Sequence, residues 1–216
     1  MTDARVVEIL APYVSDERRA RIEAVLGARL RGVSVLVEDV HEPHNAAAVL
    51  RTCEALGIGE VHVVESVETF RPADKVTQGA EKWLSLHRHA NVKEAITALR
   101  AGGFVTAGAA PEADEELGAL PVDQPIALVF GNEHRGLSAA ARADLDRLFR
   151  IPQHGFTRSL NISVAVAVAA FDVCRRVRAD LGAAGDLDES ARLALRARFY
   201  RDSVSAADAI LRREAR

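Results

Sequence analysis

Residues 150–168 read Arg-Ile-Pro-Gln-His-Gly-Phe-Thr-Arg-Ser-Leu-Asn-Ile-Ser-Val-Ala-Val-Ala-Val, a polar loop that turns abruptly into a run of small apolar residues. The change of composition places Ser159 and Asn161 at a helix start. Both are types whose side-chain oxygen accepts from the unpaired N–H groups of a first helical turn, so one can cap while the other stays free for a ligand. Two further stretches share the design: residues 130–138, Phe-Gly-Asn-Glu-His-Arg-Gly-Leu-Ser, and residues 44–52, His-Asn-Ala-Ala-Ala-Val-Leu-Arg-Thr. Each follows an apolar, strand-like run and opens a helix.

Around these stretches the chain alternates strands with helices. Val33 to Val40 reads as a buried strand, Asn45 as the cap of a helix that Gly57 ends, and Glu60 to Glu65 as a second strand. An irregular stretch runs on to Lys82. Residues 91–94, Asn-Val-Lys-Glu, form a capping box for a helix stopped by Gly102 and Gly103. Phe104 to Ala110 and Pro125 to Phe130 are strands, Ser138 caps a helix to about Leu148, and a long helix runs from Leu160 to Leu181 with Gly182 as its stop. Such alternation predicts an α/β fold with a mostly parallel, doubly wound sheet. Outside it, Ser15 to about Leu30 reads as an Arg-studded amphipathic helix and residues 186–216 as one or two Arg-rich helices. The expected division is a helical N-terminal extension (1–31), the α/β domain (32–182) and a helical C-terminal extension (183–216).

Composition narrows the possibilities. Of 28 basic residues 25 are arginine, and the net charge of −3 hides relatively basic ends: +1 over residues 1–32, −6 in the middle and +2 over residues 171–216. Arginine pairs bidentately with phosphate, although a GC-rich genome produces the same bias. The longest small apolar run, Ile162 to Phe171, is about half of what a bilayer crossing needs, and Met1 to Leu10 lacks the pattern of a signal peptide. A cytoplasmic protein with no membrane partner is expected. Cys53 and Cys174 lie on apolar helix faces and read as core thiols. Residues 57–59, Gly-Ile-Gly, occur in the wrong order for a dinucleotide fingerprint, and the proline of residues 41–44, His-Glu-Pro-His, breaks the helix that a zinc motif would need. No ligand cluster is apparent and no metal is expected.

The three stretches contain N-x-x-A-x-x-R-T (45–52), F-G-N-E-x-x-G (130–136) and I-P-x-x-G-x-x-x-S-L-N-x-S-V-A (151–165). In order and spacing they resemble the motifs of the SpoU (TrmH-type) branch of the SPOUT RNA ribose 2'-O-methyltransferases, over about residues 30 to 181. The resemblance implies a C-terminal trefoil knot that builds the pocket for S-adenosyl-L-methionine. Its contacting positions would be Ala109, Gly131, Ile151, Gln153 and Leu160. It also implies Arg51 as the principal catalytic residue, with Asn45, Glu133, Ser159 and Asn161 around it, and a homodimer formed through C-terminal helices. Gln153 and Phe156 to Arg158 stand in a stretch that varies within the family and could bear on substrate choice.

Read from residues alone, several of these roles stay open. Arg51 would be an exposed salt-bridging residue, and an arginine side chain is a permanent cation, suited to holding phosphate or a developing alkoxide rather than to taking a proton. Asn45 could simply cap its helix, and Glu133 could complement a helix N-terminus or hold its loop near the cofactor. His44, Arg158, Arg175, Arg176 and Arg178 are candidates for RNA contact, or solvated surface. Only about 30 residues precede the first strand, which favours tRNA, in particular a D-loop guanosine, over the rRNA targets of relatives with an extra N-terminal domain. An rRNA ribose methyltransferase and a non-catalytic RNA-binding protein on the same scaffold are the alternatives; the second would be marked by loss of Arg51, Ser159 or Asn161, and all three are present.

Overall fold

The computed structural model describes residues 1–214. In chain order the elements are α1 (Asp3–Leu10), α2 (Asp16–Gly27), β1 (Leu30–Glu38), α3 (Pro43–Leu56), β2 (Ile58–Val64), α4 (Asp74–Thr77), β3 (Ser85–His89) and α5 (Val92–Ala101). They continue with β4 (Val105–Ala109), β5 (Glu115–Glu116), β6 (Ile126–Phe130), α6 (Ala139–Asp144), β7 (Arg147–Arg150), α7 (Ile162–Leu181), α8 (Glu189–Ser203) and α9 (Ala207–Glu214). Two compact units result: Met1–Arg29 with Ala184–Arg216, and Leu30–Ala183.

In the first unit the two ends of the chain, which the sequence presents as separate extensions, pack on each other. Thr2, Ser15 and Asp188 cap α1, α2 and α8 through their side chains. The helices bury Leu10, Ile22, Leu26, Phe199 and Leu211 between them. Glu23 and Arg196 pair across the seam at 2.5 and 2.8 Å.

The second unit is a seven-stranded, wholly parallel sheet in the order β3-β2-β1-β6-β4-β7-β5. Strand side chains alternate between faces, and the core divides accordingly. Val35, Val37, Val61, Val63, Leu128 and Phe149 pack with Val49, Cys53 of α3 and Val166, Ala170, Cys174 of α7 on one face. Leu36, Val64 and Val129 pack with Ala95, Ile96, Leu99 of α5 and Ala141 of α6 on the other. The expected α/β class and parallel sheet are present, both cysteines are buried thiols outside any disulfide, and the glycine stops are real: Gly57 and Gly182 end their helices at φ 85° and 60°.

Three local expectations are corrected. Helix α3 starts at Pro43, with Glu42 at the cap position, so Asn45 lies inside the first turn rather than before it; proline suits the first helical position because its missing N–H would be unpaired there anyway. The helix after Ser138 stops at Asp144, and Arg147–Arg150 instead forms β7, whose Phe149 is fully buried between sheet neighbours β4 and β5. Strand β3 occupies a stretch where no element was expected. Its residues, Ser-Leu-His-Arg-His, carry little apolar signal because β3 is an edge strand paired only to β2.

Candidate functional site

The three polar stretches meet at the C-terminal ends of the parallel strands, where open α/β sheets place their ligand sites. The loop after β6 is held by close main-chain packing. A Cβ on Gly131 would lie 2.1 Å from the Gly136 carbonyl carbon and 2.2 Å from the Leu137 nitrogen, so only glycine fits. Asn132 and Gly136 exchange main-chain hydrogen bonds, and Gly136 takes φ 64°. The buried Asn132 side chain accepts from His134 N and Arg135 N and donates to the Asp39 carbonyl. Asp39 in turn is held by hydrogen bonds from Ser66 and the Val67 and Glu68 amides, which outweigh burial and keep its carboxyl below the ordinary value.

Displacing Asn45 from the cap position frees its amide. Its Nδ2 donates to Glu133 Oε1 at 3.0 Å, and its Oδ1 accepts from Asn161 Nδ2 at 3.1 Å. Glu133 also accepts from His41 N and Glu42 N, so an anion sits at the start of α3. Burial pushes the Glu133 carboxyl up, but the four hydrogen bonds it receives, from His41, Asn45, its own amide and Glu42, hold it below the ordinary range. Asn161 is the cap of α7, accepting from Ser163 N at 2.8 Å. One relay, Glu133–Asn45–Asn161, therefore ties the three stretches together, and these side chains act as positioning links.

Beside the relay opens a cavity of about 290 Å³ lined by Ala109, Gly131, Glu133, Ile151, Gln153, Ser159 and Leu160, with Phe130, Phe149 and Ile162 as apolar floor. All five expected cofactor positions, Ala109, Gly131, Ile151, Gln153 and Leu160, line it. Sequence reasoning missed Asn132 and His134 on the same wall; Asn132 stands between Gly131 and Glu133, and an Asn in a glycine-flanked turn was the available signal. A more open cleft adjoins, lined by Arg150, Pro152, His154 and Arg158, and shares Pro111, Ile151 and Gln153 with the cavity.

Arg51 does not line the cavity. It is exposed on α3, with one hydrogen bond of 3.5 Å to the Val76 carbonyl. His44 is exposed two helical turns before it, on the same side of the helix. Arg158 is exposed and so is Arg175, whereas Arg176 is 18% exposed and donates to the Leu117 and Leu120 carbonyls as well as to Asp172. Arg178 donates to the Leu56 carbonyl. The three arginines of α7 thus do not form one exposed cluster. Arg176 and Arg178 brace the helix.

Residues 32–171 match the SpoU rRNA Methylase family. The chain belongs to this family. Among the curated relatives of this SpoU chain is a tRNA (guanosine(18)-2'-O)-methyltransferase of Borreliella burgdorferi, 35% identical over 92% of this chain and 91% of that protein. The crystal structure of the A. aeolicus TrmH/SpoU tRNA modifying enzyme superposes with a TM-score of 0.76 at 25% identity, covering 88% of this chain and 98% of that one. The SpoU methyltransferase AviRb from Streptomyces viridochromogenes, solved with the cofactor AdoMet, matches at 27% identity with a TM-score of 0.61 over 69% of this chain and 61% of that one. Among the described residues no helix is long and apolar enough to cross a membrane.

Proposed function

We propose that this chain is an S-adenosyl-L-methionine-dependent RNA ribose 2'-O-methyltransferase, acting on a D-loop guanosine of tRNA as a cytoplasmic homodimer. The observation that carries the reading is the convergence of Ala109, Gly131, Ile151, Gln153, Leu160 and Ser159 on one cavity beside the Glu133–Asn45–Asn161 relay. The cavity suits the cofactor: Gly131 leaves main chain bare where a Cβ has no room, and an apolar floor faces a rim of amide, hydroxyl and carboxylate groups. When bound, the cofactor supplies a methyl group by in-line displacement at its sulfonium, without any metal in the reaction. In this reading the segment from β7 into α7 is the threaded part of the family's knot, which fits its share of the cavity wall.

The protein's part is mainly positioning. The relay holds the starts of α3 and α7 at fixed spacing, and Ser159 and Gln153 orient groups within the cavity. Arg51, a permanent cation on the exposed face of α3 with His44 nearby, clamps a backbone phosphate and stabilises negative charge developing on the 2'-oxygen. Arg158 and Arg175 extend the phosphate-binding surface. The homodimer reading is supported by an exposed apolar stripe on the α7 side, Leu160, Val164, Val168 and Phe171, exposed by 37, 46, 40 and 60%, beside a groove shared with Thr52 and Ala55 of α3.

The test incubates the protein with labelled cofactor in chelator and, in parallel, with tRNA and with rRNA, and maps ribose methylation in each. A single mark in the D-loop is expected. A mark found only in rRNA would overturn the tRNA assignment, and cofactor binding that requires a divalent ion would overturn the metal-free reaction.

A further inference from the structure

The outer edge of the sheet carries a group of imidazoles that the methyl-transfer reading does not use. Glu60 and His62 alternate along β2, His87 and His89 along β3, and the parallel register sets His62 opposite His87. All four side chains therefore share one face of the sheet. It is the α5 face: His62 pairs in register with Leu36, which packs with Ile96 and Leu99. Arg51 lies on α3, which covers the opposite face, and none of the four residues lines the cavity.

One ligand atom each from Glu60, His62 and His87 lies within 4.8 Å of the other two. The His62 and His87 rings stack at 4.6 Å, and His87 Nε2 is 3.9 Å from Glu60 Oε2. A second, independent feature concerns orientation. His62 Nδ1 is 2.9 Å from His89 Nε2, and His89 Nδ1 is 3.8 Å from Glu94 Oε1 at the start of α5. The carboxylate favours the proton on His89 Nδ1, which makes Nε2 an acceptor and His62 Nδ1 the donor. The lone pair of His62 then sits on Nε2, the nitrogen left for a Lewis acid. Such a carboxylate–histidine chain behind a ligand is how metal-binding imidazoles are held in one tautomer and one orientation.

We propose that Glu60, His62 and His87 form a binding site for a divalent transition-metal ion, with zinc the best match, that clips the edge strand β3 to β2. Two imidazoles and one carboxylate, with a fourth position for water, are a donor set suited to tetrahedral zinc. Zinc–ligand distances near 2.0–2.1 Å require neighbouring ligand atoms to approach to about 3.3 Å. His62, 6% exposed, provides the fixed point. Glu60 and His87, whose side chains are 47 and 43% exposed, have the rotamer freedom to close on it. The site departs from the sequence-derived expectation of a chain without metal, and it is separate from the chemistry of methyl transfer. Its sequence trace is the pair Glu-x-His and His-x-His, legible only once both segments are known to be neighbouring strands.

The test uses the full chain, stripped with chelator and titrated with Zn²⁺ alone against a competing chromophoric chelator, with Co²⁺ as a spectroscopic substitute. One ion per chain is expected, with the visible bands of tetrahedral cobalt and slower amide exchange along β3. Glu60→Gln and His87→Ala, both at exposed positions, should each weaken binding by more than tenfold, and Glu94→Gln, acting through His89, by about tenfold. Replacing His41 and His134 together should leave binding unchanged, since those rings lie beside the cavity. Absence of an ion at micromolar Zn²⁺, or an affinity insensitive to Glu60→Gln and His87→Ala, would overturn the proposal.

Discussion

Replacing Glu133 by alanine removes the acceptor that ties the first turn of α3 to the β6 loop. The carboxylate receives His41 N at 3.0 Å, Glu42 N at 3.2 Å and Asn45 Nδ2 at 3.0 Å. Satisfying main-chain donors at a helix start is worth about 1 kcal/mol, the anion's interaction with the helix dipole about 0.5 kcal/mol, and the half-buried amide bond about 0.5 to 1 kcal/mol. Together they give a destabilisation of about 2 kcal/mol, roughly a thirtyfold fall in the folding constant. Glu133→Gln keeps one acceptor oxygen but turns an NH₂ group toward N–H donors, so it should fall between alanine and wild type. The pH dependence has a definite sign. Glu133 is held below its ordinary pKa of 4.5, so its contribution is present above that value and is lost as pH falls through the folded-state pKa. Urea denaturation of wild type and Glu133→Ala at pH 7, repeated below pH 4.5, measures both effects. A difference under about 0.5 kcal/mol at pH 7, or one that does not narrow in acid, would refute the capping role and with it the relay as the link between the three stretches.

Arg51→Lys keeps the charge and loses the planar fork, so kcat should fall about 10²- to 10³-fold in single-turnover methylation while cofactor affinity stays near wild type. Gly131→Ala forces the Gly136–Leu137 main chain to move, because its Cβ would lie 2.1 Å from Gly136 C; calorimetry should show cofactor affinity reduced by more than tenfold. Arg175→Ala should weaken tRNA binding and lower its salt slope by about 1 without affecting stability. Arg176→Ala should do the reverse, lowering the urea midpoint because the Leu117 and Leu120 carbonyls lose their donor. Phe171→Glu places a charge in the exposed apolar stripe of α7 and should yield monomers in sedimentation analysis.

The sequence by itself determined what depends on neighbours a few residues away. The stops at Gly57 and Gly182, the caps at Asn91 and Ser138, and the continuous apolar runs of buried strands in an α/β sheet are all local devices, and the structure contains each of them. The five cofactor positions that the family resemblance implies are gathered by folding around one cavity. Tertiary structure decided everything whose partner is distant. Asn45 reads as a cap until Pro43 takes the first helical position, and its true partners, Glu133 and Asn161, stand 88 and 116 residues away. Arg147–Arg150 looks like the end of a helix until β4 and β5 supply hydrogen bonds on both sides. Arg176 has the composition of an RNA contact but is bound by two carbonyls more than fifty residues earlier in the chain. The edge strand β3 and its histidines have no apolar pattern to betray them, because an edge strand is half solvated. Only the register with β2 brings His62, His87 and Glu60 onto one face. Propensity and periodicity act over one or two turns of chain, whereas a site built from side chains of separate elements exists only once the sheet has set their spacing.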